Sequence, residues 1–164
     1  MTAFERRWPI GTKQRKAYAL MLNIGTARVD THQLTWPQVD DGACYRRHKT
    51  CVAVDMAVSE DLQKALAATP RKHITVINTE YGKPYTVDGF SRFMRDAITA
   101  AGLPLDCQPH GLRKTLGRML ADAGCSAHDI MAALGHTTLA EATRARPIAS
   151  VAASVPWRAS TNID

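Results

Sequence analysis

Cysteine is scarce in this chain, and long apolar runs are missing. Four cysteines (Cys44, Cys51, Cys107 and Cys125) among 164 residues are too few and too scattered to form the disulfide framework on which small secreted domains rely. No stretch has the length and apolarity of a membrane span, and no signal peptide opens the chain. Repeats and low-complexity tracts are also absent, which excludes repeat arrays. These absences together predict a reduced, cytoplasmic setting without membrane contact. Acidic residues are the minority charge. The 21 Lys plus Arg outnumber the 15 Asp plus Glu, for a net charge of +6 and a pI near 9.4, a balance that favours an acidic polymer as partner. With 45% hydrophobic residues the chain can build one compact core and is too short for two.

What is present is mainly helical periodicity. After a basic entry carrying Arg6, Arg7, Lys13, Arg15 and Lys16, read as solvated charge or a phosphate-contacting patch, apolar Tyr18, Leu20, Met21, Leu22 and Ile24 predict a helix stopped by Gly25. Val39 to Val58 reads as a hairpin: Asp41-Gly42 is a tight-turn signal, the segment 51–58 alternates like a half-buried strand, and His48-Lys49-Thr50 lies between the strands. Ser59 then caps a helix through Leu62 and Leu66, and Ile74 to Asn78 reads as a short buried strand. A Gly-Pro turn around Tyr81 to Tyr85 leads to a helix with Phe90, Phe93, Met94, Ala97 and Ile98 on one stripe and Gly102 as terminator. Mostly helices with a small antiparallel sheet predict an α+β domain rather than a wound parallel sheet.

The chemistry concentrates between Pro109 and Arg146. Here His110 and Arg113 stand three residues apart, backed by Leu112, Leu116, Met119 and Leu120 at helical spacing, until Gly124 ends the helix. A second short helix, capped by Ser126, closes at Leu134-Gly135-His136 and brings another imidazole to a helix end. A guanidinium can pair two phosphate oxygens at once, and imidazoles titrate near neutrality, so this grouping suits a phosphodiester whose non-bridging oxygens gain charge under attack.

The H-x-x-R pattern of His110 and Arg113, followed by the L-G-H of Leu134 to His136, resembles the tyrosine recombinase or phage integrase family, whose members cut and rejoin DNA through a covalent phosphotyrosine. The resemblance runs from Trp8 to Arg144, the length of that family's catalytic domain. It implies a recombinase-like catalytic core, mainly helical with a small antiparallel sheet, with double-stranded DNA and further recombinase subunits as partners and no cofactor. By the same resemblance Lys49, His110, Arg113 and His136 are the expected catalytic residues. Lys49 would give a proton to the leaving 5′ oxygen. The expected DNA contacts are Arg6, Arg7, Lys13, Arg15, Lys16, Lys114 and Arg144.

Two departures from the family pattern stand out. The register of Gly25, Asp30, Leu34 and Trp36 puts Ala27 where the first catalytic arginine belongs, and neighbouring Arg28 would point roughly 100° away on a helix. The nucleophilic tyrosine belongs nine residues after His136, where the chain has Ala145. Tyr18, Tyr45, Tyr81 and Tyr85 all lie far upstream, and a methyl group cannot attack phosphorus. Residues 1–144 are therefore expected to form the integrase-type domain, and 145–164 to be an atypical tail in which Pro147 and Pro156 break any helical period. A deletion with a shifted reading frame is the expected origin of that tail. A catalytically defective chain that still binds DNA or a partner follows from these losses. A zinc-binding nucleic-acid module, using Cys107-x-x-His110 and Cys125-x-x-His128, is the rival expectation; the preferred reading needs no metal.

Overall fold

The computed structural model describes residues 2–49, 51–104 and 106–135. Among these residues it contains seven α-helices, one short 3₁₀ turn and a two-stranded antiparallel sheet, the α+β arrangement expected from the sequence. Helix α2 (Lys13–Asn23) is the central element. Its Ala17, Leu20, Met21 and the following Ile24 fall at i, i+3, i+4 and i+7, and all are buried, as a core-facing stripe requires. Helix α4 (Glu60–Ala67) and helix α6 (Pro109–Asp122) both pack on it.

Local signals explain most boundaries. Thr12, Ser59, Thr86 and Ser126 each accept a backbone N–H at the starts of α2, α4, α5 (Val87–Ala100) and α7 (Ala127–Leu134), satisfying donors a helix start leaves orphaned. The entry segment forms a helix of its own, α1 (Ala3–Arg7), which the sequence reading left out. Its signal was a Thr2/Glu5 capping box, and it is pinned by Phe4 stacking on Tyr18 at 5.0 Å. Trp8 Nε1 donates to the Ala97 carbonyl at 3.0 Å, tying this end of the chain to α5.

The hairpin is shorter than expected. Strands β1 (Ala43–Arg46) and β2 (Ala53–Met56) pair from Ala43↔Met56 to Arg46↔Ala53. Asp41-Gly42 does not turn the hairpin; it leads into β1. The chain reverses between Arg47 and Val52, closed by Arg47 N–H to the Val52 carbonyl at 2.9 Å, with Cys51 in the left-handed region at φ 54°. The strand expected at Ile74 to Asn78 is also absent. That segment makes only isolated bridges, Thr35↔Thr75 and Asn78↔Pro84, although Val76 and Ile77 are fully buried. Its partner segment turns into the 3₁₀ helix Trp36–Gln38, where Pro37 has no N–H to extend a ladder.

Helix α6 carries the candidate site. Leu116 is its buried residue, with Leu112 and Leu120 partly covered. Short α3 (Arg28–Thr31) follows α2 after a bend at Gly25, which has φ 58°. A Cβ there would lie 2.9 Å from Leu116 Cδ2 and 3.3 Å from Leu134 Cδ2, so this bend needs glycine both for its backbone and for the close approach of α6 and α7.

That double requirement separates Gly25 from Gly102, which has φ 68° but nothing within 4 Å of a Cβ. Gly102→Ala should cost about 1 kcal/mol, from left-handed strain alone. Gly25→Ala should cost at least about 2 kcal/mol because it adds the clash with Leu116. Urea denaturation of both variants against the parent gives the comparison.

Candidate functional site

Three helix ends and the hairpin stem meet at the carbonyl of Gly25. Arg113, one turn into α6, donates Nη1–H to that oxygen at 2.9 Å, and its Nη2 donates to the Leu134 carbonyl at the end of α7. Arg47, the residue after β1, donates its own Nη1–H to the same Gly25 oxygen at 3.0 Å. The Arg47 Nη2 reaches the Ala133 carbonyl at 3.3 Å. Each guanidinium thus shares the Gly25 carbonyl, two residues beyond α2, and also caps a carbonyl that the end of α7 leaves unpaired at the negative end of its dipole.

One carboxylate serves this pair of cations. Asp30 Oδ2 lies 3.4 Å from Arg47 Nη1, both side chains being 4% exposed, while Asp30 Oδ1 accepts the His48 backbone N–H at 2.9 Å. Asp30 therefore anchors the hairpin to α3 and orients Arg47. Burial, and then the adjacent Arg47 charge, push Arg113 below the usual guanidinium range, while Tyr45 and Asp30 act in the opposite sense. Tyr45 lies under the cluster with its ring 5.4 Å from the Arg47 guanidinium carbon. Burial pushes its hydroxyl up to about 12.

The structure places the expected site residues unequally. Arg113 is at the junction. Lys49 lies on the exposed hairpin loop two residues beyond Arg47, and His110 is exposed in the first turn of α6, three residues ahead of Arg113. His136, Arg144 and Ala145 lie outside the described residues. Arg28 does not approach the junction: it is exposed, and its Nη1 donates to Ser91 Oγ on α5 at 3.2 Å. Position 27, whose side chain is a methyl, is the N-cap of α3. Arg47 was missed in the sequence, although the inward-outward alternation of Ala43 to Arg46 predicts an inward side chain at 47.

The basic entry is less free than its composition suggests. Arg7 lies over Trp8 at 4.3 Å, Lys13 over Tyr85 at 5.8 Å, Arg15 over Tyr18 at 5.5 Å and Lys16 over Trp36 at 5.2 Å. Arg15 also pairs with Glu5 at 2.8 Å. Lys16 is buried, and burial with repulsion from Lys13 lowers it to about 8. These charges hold α1 and α2 to the core as well as facing solvent. Lys114, on α6 beside Arg113, is exposed.

Among the described residues no group of three or more His, Cys, Asp or Glu side chains could hold a metal ion. Cys107 and Cys125 are both free thiols, so the Cys-x-x-His pairs gather no further described ligand. No helix among the described residues is long and apolar enough to cross a membrane.

Comparison with known proteins matches this geometry to one family. A model of the phage integrase family matches residues 1–145. Among curated proteins no significant match is found. Among solved structures, the lambda integrase catalytic core is 19% identical with a TM-score of 0.64, the match covering 83% of this chain and 89% of that one. A lambda integrase dimer bound to a COC' core site is 22% identical with a TM-score of 0.63, over 77% of this chain and 50% of that one. The integrase from mycobacterium phage Brujita is 19% identical with a TM-score of 0.66, over 90% of this chain and 53% of that one. At these identities the likeness is one of fold, and the chain spans about half the length of the DNA-bound lambda integrase.

Two outcomes follow. Asp30→Asn leaves the buried Arg47 guanidinium, with half-buried Arg113 beside it, without a counter-charge and should lower stability by about 3–5 kcal/mol, as loss of one partner from a buried pair does, measured by chemical denaturation. For Lys16, the folded chain releases its proton near 8 and the unfolded chain near 10.5. Between those values the unfolded state binds more protons, so the parent should gain stability as pH rises through that window. Lys16→Met should remove that gain, making the stability difference between the two proteins largest below pH 8 and smaller by pH 10.

Proposed function

The chain belongs to the phage integrase family, and from that membership we propose that it is a DNA-binding catalytic-domain fragment of a tyrosine site-specific recombinase that holds a phosphodiester without cutting it. The observation that carries this reading is the meeting of Arg113, the hairpin stem and the end of α7 at the Gly25 carbonyl. Such a junction presents fixed cationic donors, needing little reorganisation, to an anion. In this reading residues 1–144 form the functional domain, with 145–164 an atypical tail. Double-stranded DNA and other recombinase subunits are the partners, and the cytoplasm is the setting.

Roles are assigned by chemistry. Arg113 binds the non-bridging oxygens, His110 and His136 add hydrogen bonds or carry protons, and Lys49 on the hairpin loop faces the leaving oxygen. Lys114, Arg144 and the exposed charge of the entry segment contact flanking phosphates. No covalent step follows, because position 145 is alanine. The remaining tyrosines are poor substitutes: Tyr18, Tyr45 and Tyr85 are all raised above the ordinary phenol range by burial, and Tyr81 is exposed in the turn before α5.

Two measurements test this. Affinity for duplex DNA should fall steeply with salt, by about 0.9 in log affinity per log salt for each phosphate neutralised; an affinity unchanged between low and moderate salt would reject the proposal. On a nicked duplex, where a competent recombinase accumulates a covalent adduct, this chain should accumulate none. A denaturation-resistant protein–DNA species would instead show that some other side chain attacks.

A further inference from the structure

We propose that Arg47, at the end of the hairpin stem, is the second guanidinium that contacts the bound phosphodiester. This rests on the phosphodiester-binding reading above and adds to it a residue outside the expected set. Arg47 and Arg113 donate to one carbonyl oxygen, at 3.0 and 2.9 Å. A buried cation beside a half-buried one is costly, and Asp30, the carboxylate paired with Arg47, neutralises one of them. The cluster therefore holds a net positive charge that an anion would balance.

Its donors are also incompletely used. Arg47 has five N–H groups. Its Nη1 serves Gly25 and Asp30, and its Nη2 serves Ala133, whereas its Nε is buried with no hydrogen-bond partner among the described residues. Native folds rarely leave such a donor unmatched. The Tyr45 hydroxyl, also buried, lies against the same guanidinium. Gly135 packs against this edge of the guanidinium: a Cβ at 135 would lie 2.5 Å from the Nε, so any larger side chain there would push Arg47 out of its place. Oriented by Asp30 and backed by Tyr45, Arg47 can offer its Nε–H and remaining Nη2–H to one phosphate oxygen edge. The free protons of the Arg113 Nη1 and Nη2 can take another. The register leaves a methyl at position 27, and Arg28 is turned to Ser91, so the second cation reaches this place from the sheet.

The test uses the full chain with a 20-base-pair duplex at low salt. Arg47→Gln should weaken binding about tenfold to a hundredfold, the loss expected for two charge-assisted hydrogen bonds, as should Arg113→Gln; Arg92→Gln, on the exposed side of α5, should stay within about threefold of the parent. Binding by the parent that is lost in Arg113→Gln but kept in Arg47→Gln would overturn this inference and leave the proposed function standing. No binding by the parent would overturn both. Should Arg47→Gln fail to fold, the parent labelled with ¹⁵N-arginine decides. The Arg47 Nε–H resonance should shift when duplex or inorganic phosphate is added, a change that a purely structural arginine would not make, and a resonance unmoved by either would overturn the inference.

Discussion

The carbonyl oxygen of Gly25 accepts two guanidinium groups, and the rest of the molecule is arranged so that this can happen. Gly25 lies two residues beyond the end of α2, so its carbonyl has no intrahelical partner and is available to both side chains. Glycine at that residue permits both the left-handed turn and the approach of Leu116 and Leu134. Helices α6 and α7 can then bring Arg113 and two further helix-end carbonyls to the same point. The hydrophobic stripe of α2 sets this geometry at a distance, because both α4 and α6 pack on that helix.

Burying cations this way costs solvation, and the structure offsets it with oxygen atoms rather than with a matching set of carboxylates. Backbone carbonyls at helix termini carry partial negative charge without being able to take a proton, which keeps the guanidinium groups charged while leaving the cluster net positive. Asp30 is the exception, and it serves two purposes by pairing with Arg47 and accepting the His48 amide. The hairpin that carries Lys49 is thereby fastened at its stem while its tip remains exposed.

The entry segment follows the same economy of charge. Its cations rest on aromatic rings, with Arg7 on Trp8, Arg15 on Tyr18 and Lys16 on Trp36, so a stretch that composition alone marks as a basic patch also fastens α1 and α2 to the core. Trp36 carries a second cation, Arg71, at 4.7 Å. Net charge describes what the whole surface attracts, but it does not say which individual cations are already engaged.

The sequence by itself determined the five longer helices, α2 and α4 to α7, with their caps and stops, and the spacing of His110 and Arg113 at the start of α6, because periodicity, hydroxyl caps and left-handed glycines act over three or four residues. It also determined that position 145 bears a methyl, and with it the absence of a phenolic nucleophile at that place. Only the tertiary structure decided that Ile74 to Asn78 is not a strand, since a ladder needs a partner with free N–H groups and Pro37 interrupts the available one. Only the tertiary structure, too, turned Arg28 toward Ser91 and Arg47 toward Asp30. Position 47 is seventeen residues from Asp30 and eighty-six from Ala133, and no local pattern encodes which distant carbonyl a long side chain will reach once the core has closed.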